Sequence, residues 1–251
     1  MNPERSAPRG LHGHLVHELG RDIAHGRLAA GDQIVPEDVG ERHGVSRTVV
    51  REALRVLESK GMVVARPKTG TRVRPVEEWD LLDRDVILWR AQSSHWRSQL
   101  ADLLDMRAAI EPLAARGCAR RATPEDIVHL LAHCATMDKA VSSRDWPAFH
   151  KADRAFHGKL LAASGNLALR RLSGAIDAVL EVRSTLELEP ESIEPDVVTA
   201  HYAIVEAISH RDPTQAETAS RTLIDTAEHE IDQALEHARQ TRTKRPRTRV
   251  V

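Results

Sequence analysis

The stretch GVSRTVVREALRVLESKG, Gly44 to Gly61, fits one local structure and dictates what must surround it. Ser46 can cap a helix that glycines bracket at both ends. Val49, Val50, Leu54, Val56 and Leu57 supply an apolar stripe, while Arg47, Thr48, Arg51 and Arg55 fall largely on the other side. A helix this short cannot bury its stripe alone, so its flanks must supply the packing partners. Upstream, LHGHLVHELGRDIAHGRL places Leu11, Leu15, Val16, Leu19 and Ile23 at helical spacing and stops at Gly26. Gly31-Asp32 then reads as a turn, and Pro36 opens a short helix that carries Val39 inward and ends at Gly44. Downstream, MVVARPKTGTRVRP alternates about Lys68-Thr69-Gly70, as a two-stranded ribbon does.

That order, helix, short helix, basic helix, ribbon, is a winged helix-turn-helix over residues 11–75, preceded by a flexible stretch at 1–10. Such a domain presents the first turns of its basic helix to base edges in the major groove. Arg47 and Arg51 lie one turn apart, and arginine can grip guanine O6 and N7 with two hydrogen bonds. The hydroxyls of Ser46 and Thr48 suit phosphate or base, and Lys68, Thr69 and Gly70 at the wing, with Arg72, suit the backbone or minor groove. The alternative for the basic helix is a solvated surface helix laced by charge pairs around Glu52. Charge distribution supports the DNA reading. The formal net charge is only −1, yet residues 1–75 hold 13 Lys/Arg against 9 Asp/Glu. The terminal RQTRTKRPRTRVV adds a basic block without an acid, read as a disordered tail at 239–251.

From residue 76 on, the periodicity is helical throughout. EEWDLLDRDVILWRAQ reads as a linker helix within 76–94, with Trp79, Leu82, Val86, Ile87 and Trp89 on one side. Residues 95–238 form an all-α bundle, so that six to seven helices follow the reader and the fold is mainly α. The TPED sequence at residues 123–126 is a strong helix start, with Thr123 as cap and Pro124 in the first turn. Cys118 and Cys134 sit in helical segments and read as reduced core residues.

Within KADRAFHGKL, Asp153 and His157 are four apart and share one helix face. A carboxylate and an imidazole at that spacing can form half of a divalent metal site, with His201 as a third ligand from another helix. With 14 histidines in the chain, spacing alone leaves an incidental surface pair equally open.

The residues GDQIVPEDVGERHGVSRTVVREALRVLESKGMVVARPKTGTRV resemble the DNA-binding domain of the GntR superfamily. The motifs LLDMRAAIEPLAAR, ADRAFHGKLLAASGNLAL and HYAIVEAISHRDPTQAETA resemble the FCD effector domain of its FadR branch. The linker helix is similar to that of the galactonate-operon repressor subgroup. The resemblance implies metal ligands at Asp153, His157 and His201, with zinc or nickel as the ion. The usual fourth ligand position falls on Leu223, which cannot ligate. It also implies a small carboxylate effector, a sugar acid or related hydroxy acid, held near Arg107. Arg183 is a second candidate for the carboxylate, since arginine binds this group bidentately. The short helix departs from the family in carrying Glu37 where an arginine is frequent.

These readings imply a cytoplasmic homodimer on a palindromic double-stranded operator, a repressor released by its effector. No apolar run is long enough to span a membrane. The competing class is a metal-dependent hydrolase or lyase on a helical bundle, with Asp153, His157 and His201 around a catalytic ion. The chain shows no nucleophile motif or phosphate loop for that chemistry, and an enzyme has no use for a recognition helix with a wing.

Overall fold

The computed structural model describes residues 10–66, 70–185 and 195–244; the side chains of 183–185, 195, 230 and 232–244 fall outside the description. The chain divides into two compact units, Met1–Gln99 and Leu100–Val251.

The first unit is a winged helix-turn-helix. Helix α1 (Gly10–Ala24) buries Leu15, Val16, Leu19 and Ile23; α2 (Pro36–His43) and α3 (Arg47–Ser59) follow. Gly44 ends α2 in the left-handed conformation at φ 64°, which glycine adopts without penalty. Ser46 caps α3 by accepting a hydrogen bond from the Val49 amide at 3.4 Å. The buried stripe of α3 is Val50, Ala53, Leu54 and Leu57. Val49 and Val56, expected within it, are only partly buried at its margins, and Ala53 takes the central place.

The wing is a sheet of three strands rather than a two-stranded ribbon. Strands β2 (Val63–Arg66) and β3 (Gly70–Val73) pair antiparallel with Val63 opposite Val73, and β1 (Gln33–Ile34) adds to the far edge of β3. Two residues are too few to show alternation, so this strand has no sequence signature.

The segment expected to be a linker helix is not one continuous helix. A single 3₁₀ turn covers Val76–Glu78, and α4 spans only Arg84–Arg90. Asp80 and Asp83 account for the break. Asp80 Oδ1 accepts from the Leu82 amide, and Asp83 caps α4 through the amides of Asp85 and Val86. Helix α4 then packs on the reader. Val86 and Trp89 join its core, Trp89 Nε1–H donates to His17 Nδ1 at 2.9 Å, and Lys60 binds both Asp83 and Asp85.

The second unit is helical. It comprises most of α5 (Trp96–Arg121), then α6 (Pro124–Ser143), α7 (Trp146–Ala163), α8 (Leu167–Arg171), α9 (Ser173–Thr185), α10 (Pro195–Ser209) and α11 (Pro213–Lys244). Leu172 separates α8 from α9. Thr123 and Asp126 close a reciprocal capping box at the start of α6. Helix α11 continues to Lys244, six residues into the segment read as a disordered tail; residues 245–251 lie outside the description. The core gathers Phe156, Leu160, Met137, Ile176, Ile204 and Ile208, all without solvent exposure. Cys118 and Cys134 are free and buried there, and burial pushes both thiols up to about 12.

A methyl group at Gly20 of α1 would meet the Trp89 ring at 2.4 Å. Gly20→Ala should therefore destabilise the first unit by about 1–3 kcal/mol despite its gain in helix propensity. Thermal melting would show it, and an unchanged or raised midpoint would mean the ring is free to move.

Candidate functional sites

On the reader, Arg47, Thr48 and Arg51 are exposed in the first turns of α3, and the hydroxyl of Ser46 is committed to its cap. Arg51 has no ion-pair partner among the described residues. Arg47 lies 3.3 Å from the carboxylate of Glu37, so the departure in the short helix puts an acid beside this arginine. Arg55 pairs with Glu52 at 2.7 Å and so behaves as the charge-laced alternative expects. On the wing, Arg72 Nη1 donates to the Gly31 carbonyl at 2.8 Å and braces the sheet. Gly70 starts β3 at φ 77°, while Lys68 and Thr69 lie outside the described residues.

In the bundle, Asp153 and His157 from α7 and His201 from α10 converge. One ligand atom from each lies within 4.8 Å of the others. Both histidines are buried, at 2% and 1% exposure. Asp153 Oδ1 is the shared point, 3.4 Å from His157 Nε2 and 3.1 Å from His201 Nε2. The opposite ring nitrogens are already committed. His201 Nδ1 faces the Val197 carbonyl at 2.7 Å, an acceptor only, so it carries the proton. His157 Nδ1–H donates to the carboxylate of Glu111 in the same way. Each ring therefore turns its Nε2 towards a carboxylate oxygen, where the lone pair can hold a proton or a metal ion. Lone pairs gathered on one point need a cation between them, a proton or a metal ion. This donor set, with both Nδ1 atoms held by outer partners, fits a divalent ion.

Glu111 is the residue that sequence reasoning passed over. It is fully buried, and its second oxygen accepts from Arg107 Nε at 2.6 Å. Arg107, 1% exposed, keeps Nη1 without a hydrogen-bond partner among the described residues. The signal was present: Arg and Glu four apart in an otherwise apolar face of DMRAAIEPLAA make an ion pair that must be buried with it. Arg183 lies in α9, but its side chain falls outside the description. Leu223 is buried in the core, and Asp225, two residues on, faces solvent.

Burial alone would raise the Glu111 carboxyl, but Arg107 and His157 hold it down at about 2. Burial likewise opposes ionisation of Asp153, and His157 and His201 overcome it, leaving its pKa well below the usual range. Burial would lower His157, but Glu111 and Asp153 on either side of the ring raise it to about 9.

Residues 11–73 match the family of bacterial regulatory proteins of the gntR family, and residues 102–226 match the FCD domain. The Galactonate operon transcriptional repressor of Escherichia coli K12 is 30% identical over 84% of this chain and 92% of its own length. The Escherichia coli protein named Uncharacterized HTH-type transcriptional regulator YieP is 31% identical over 87% of this chain and 94% of its own. A Listeria monocytogenes structure, described as "Lar controls the expression of the Listeria monocytogenes agr system and mediates virulence", superposes with a TM-score of 0.61. It covers 91% of this chain and 98% of that one at 16% identity, a likeness of fold alone. A winged helix-turn-helix followed by a helical effector domain defines a DNA-binding transcription regulator. The chain belongs to the GntR family and carries an FCD domain, which places it in the FadR branch. The hydrolase or lyase alternative falls away, since the family and these relatives are transcription regulators. Among the described residues no helix is long and apolar enough to cross a membrane.

The pKa shifts fix a pH dependence for the metal-free protein. Glu111 is held below its ordinary value, so its contribution is complete above about 4.5 and lost as pH falls towards about 2; Asp153, held down by His157 and His201, loses its contribution in the same acid direction. His157 is held above 6.5, so its contribution is complete below that value and lost as pH rises through about 9. Melting midpoints in chelator should fall on both sides of the range between these limits. A profile flat from pH 6.5 to 9 would contradict the buried imidazolium.

Proposed function

We propose that this regulator is a cytoplasmic repressor that binds a palindromic operator as a homodimer and is released by a small carboxylate bound in its helical bundle. The observation that carries the effector reading is Arg107: buried, aimed by Glu111, and left with an unpartnered Nη1 among the described residues. A buried guanidinium donor without a partner is costly and suits an acidic ligand that supplies the missing acceptor. A divalent ion, zinc or nickel, would be held by Asp153, His157 and His201 and would supply a fixed positive charge near that arginine. With only three protein ligands, and Leu223 at the fourth family position, the ion would keep a coordination site open to the effector. The Escherichia coli galactonate operon repressor, similar over most of the chain, favours a sugar acid or related hydroxy acid.

Sequence is read by Arg47 and Arg51, with Thr48 and the wing residues Lys68, Thr69 and Gly70 on the backbone and Ser46 holding the helix start. The effector can shift operator affinity only by its own differential affinity for the bound and released conformations.

The test begins with an operator selected from random DNA by the purified protein. Arg47→Ala and Arg51→Ala should each weaken operator binding by about 10-fold or more, the range of a lost bidentate base contact, with melting and dimerisation unchanged. Arg107→Ala should bind operator normally and no longer be released by effector. Normal operator binding by both reader variants would remove the DNA roles, and an intact response in Arg107→Ala would remove the effector role.

A further inference from the structure

We propose that Glu111 is a positioning residue that orients two functional side chains at once: it fixes the His157 ring with Nε2 towards the cation site, and it aims Arg107 towards the acid. The inference rests on the metal reading above and adds a residue outside the ligand set.

The argument is one of hydrogen-bond direction. Glu111 Oε1 accepts from Arg107 Nε at 2.6 Å, and its other oxygen accepts from His157 Nδ1. An ionised carboxylate has no proton to give, so Nδ1 must keep a proton, and Nε2 is the nitrogen that can exchange its own for a metal ion. Asp153 Oδ1 and His201 Nε2 wait on that side of the ring. His201 achieves the same orientation with a backbone acceptor, Val197 O, supplied by its own helix. His157 instead turns Nδ1 away from its own helix and takes its proton partner from α5, 46 residues away in sequence. Because α5 also carries Arg107 one turn before Glu111, one carboxylate sets both orientations. Whatever moves it is felt by cation and acid together.

Glu111→Gln separates positioning from packing, because it keeps shape and reverses one hydrogen bond. The amide oxygen can still accept from Arg107, which obliges the amide nitrogen to donate to His157 Nδ1. The ring must then carry its proton on Nε2, facing Asp153, where it blocks ligation. Two readouts apply. In wild-type protein loaded with NMR-active cadmium, imidazole nitrogen spectra should show the metal coupled to Nε2 of His157 and the proton on Nδ1. In metal-free Glu111→Gln, Nδ1 should lose its proton while Nε2 keeps one, and Zn²⁺ affinity should fall by about 10- to 100-fold, the usual effect of losing an outer partner, with the circular dichroism spectrum unchanged.

Cadmium coupled to Nδ1 in the wild type would overturn the proposal, and that measurement stands even if the variant does not fold. Weaker Zn²⁺ binding with Nδ1 still protonated would reduce Glu111 to a nearby charge and overturn it too, as would unchanged affinity. A wild type that binds neither ion would sink the metal reading itself.

Discussion

A line of buried ionisable side chains runs from Arg107 through Glu111, His157 and Asp153 to His201, and it dictates how three helices of the bundle meet. Taking isolated charges out of water is prohibitively costly, so each must be answered by a neighbour. Here each is: guanidinium by carboxylate, carboxylate by imidazole, and a second carboxylate by two imidazoles. Removing any member strands the next, so α5, α7 and α10 are held to one register. The Phe156 ring packs edge-on against both imidazoles and keeps water from their faces. A buried string of this kind adds little net stability compared with an apolar core of the same volume. What it provides is fixed direction: two Nε2 atoms aimed at one point and a guanidinium with a donor to spare.

The reader solves the opposite problem. Helix α3 buries a narrow stripe and leaves Arg47, Thr48 and Arg51 exposed to water. The surface pair of Arg47 with Glu37 costs little to break, since exposed pairs contribute about 0–1 kcal/mol. It can therefore hold the arginine near its working position without committing it. The support beneath is more rigid: Lys60 bound to two aspartates, and Trp89 packed on Gly20 and bonded to His17, fix α4 against α1 and the end of α3.

Much of this was legible because it rests on period and spacing. The Ser46 cap, the left-handed Gly44, the α3 stripe and the Thr123 capping box are local, and local rules place them. The Asp153/His157 pair was legible for the same reason, a separation of one helical turn. What sequence could not show was dictated by distant partners. Strand β1 exists only because β3 lies beside it. The apolar residues at 79–89 look like one helix, but aspartates at 80 and 83 offer the backbone better local bonds, and the reader core claims Val86 and Trp89. Glu111 was overlooked because a glutamate in a helix is ordinarily a surface residue. Its importance appears only once α7 brings His157 to it.

The central claim is that acid and cation bind the bundle together. Thermal melting of the purified protein tests it most directly, across a panel of sugar acids and small hydroxy acids, in chelator and in Zn²⁺ or Ni²⁺. A ligand that binds only the folded state raises the midpoint by mass action. The expected result is an acid whose stabilisation appears with the metal and vanishes in chelator. An acid that stabilises equally without metal, or metal and acids that leave the midpoint unmoved, would contradict it.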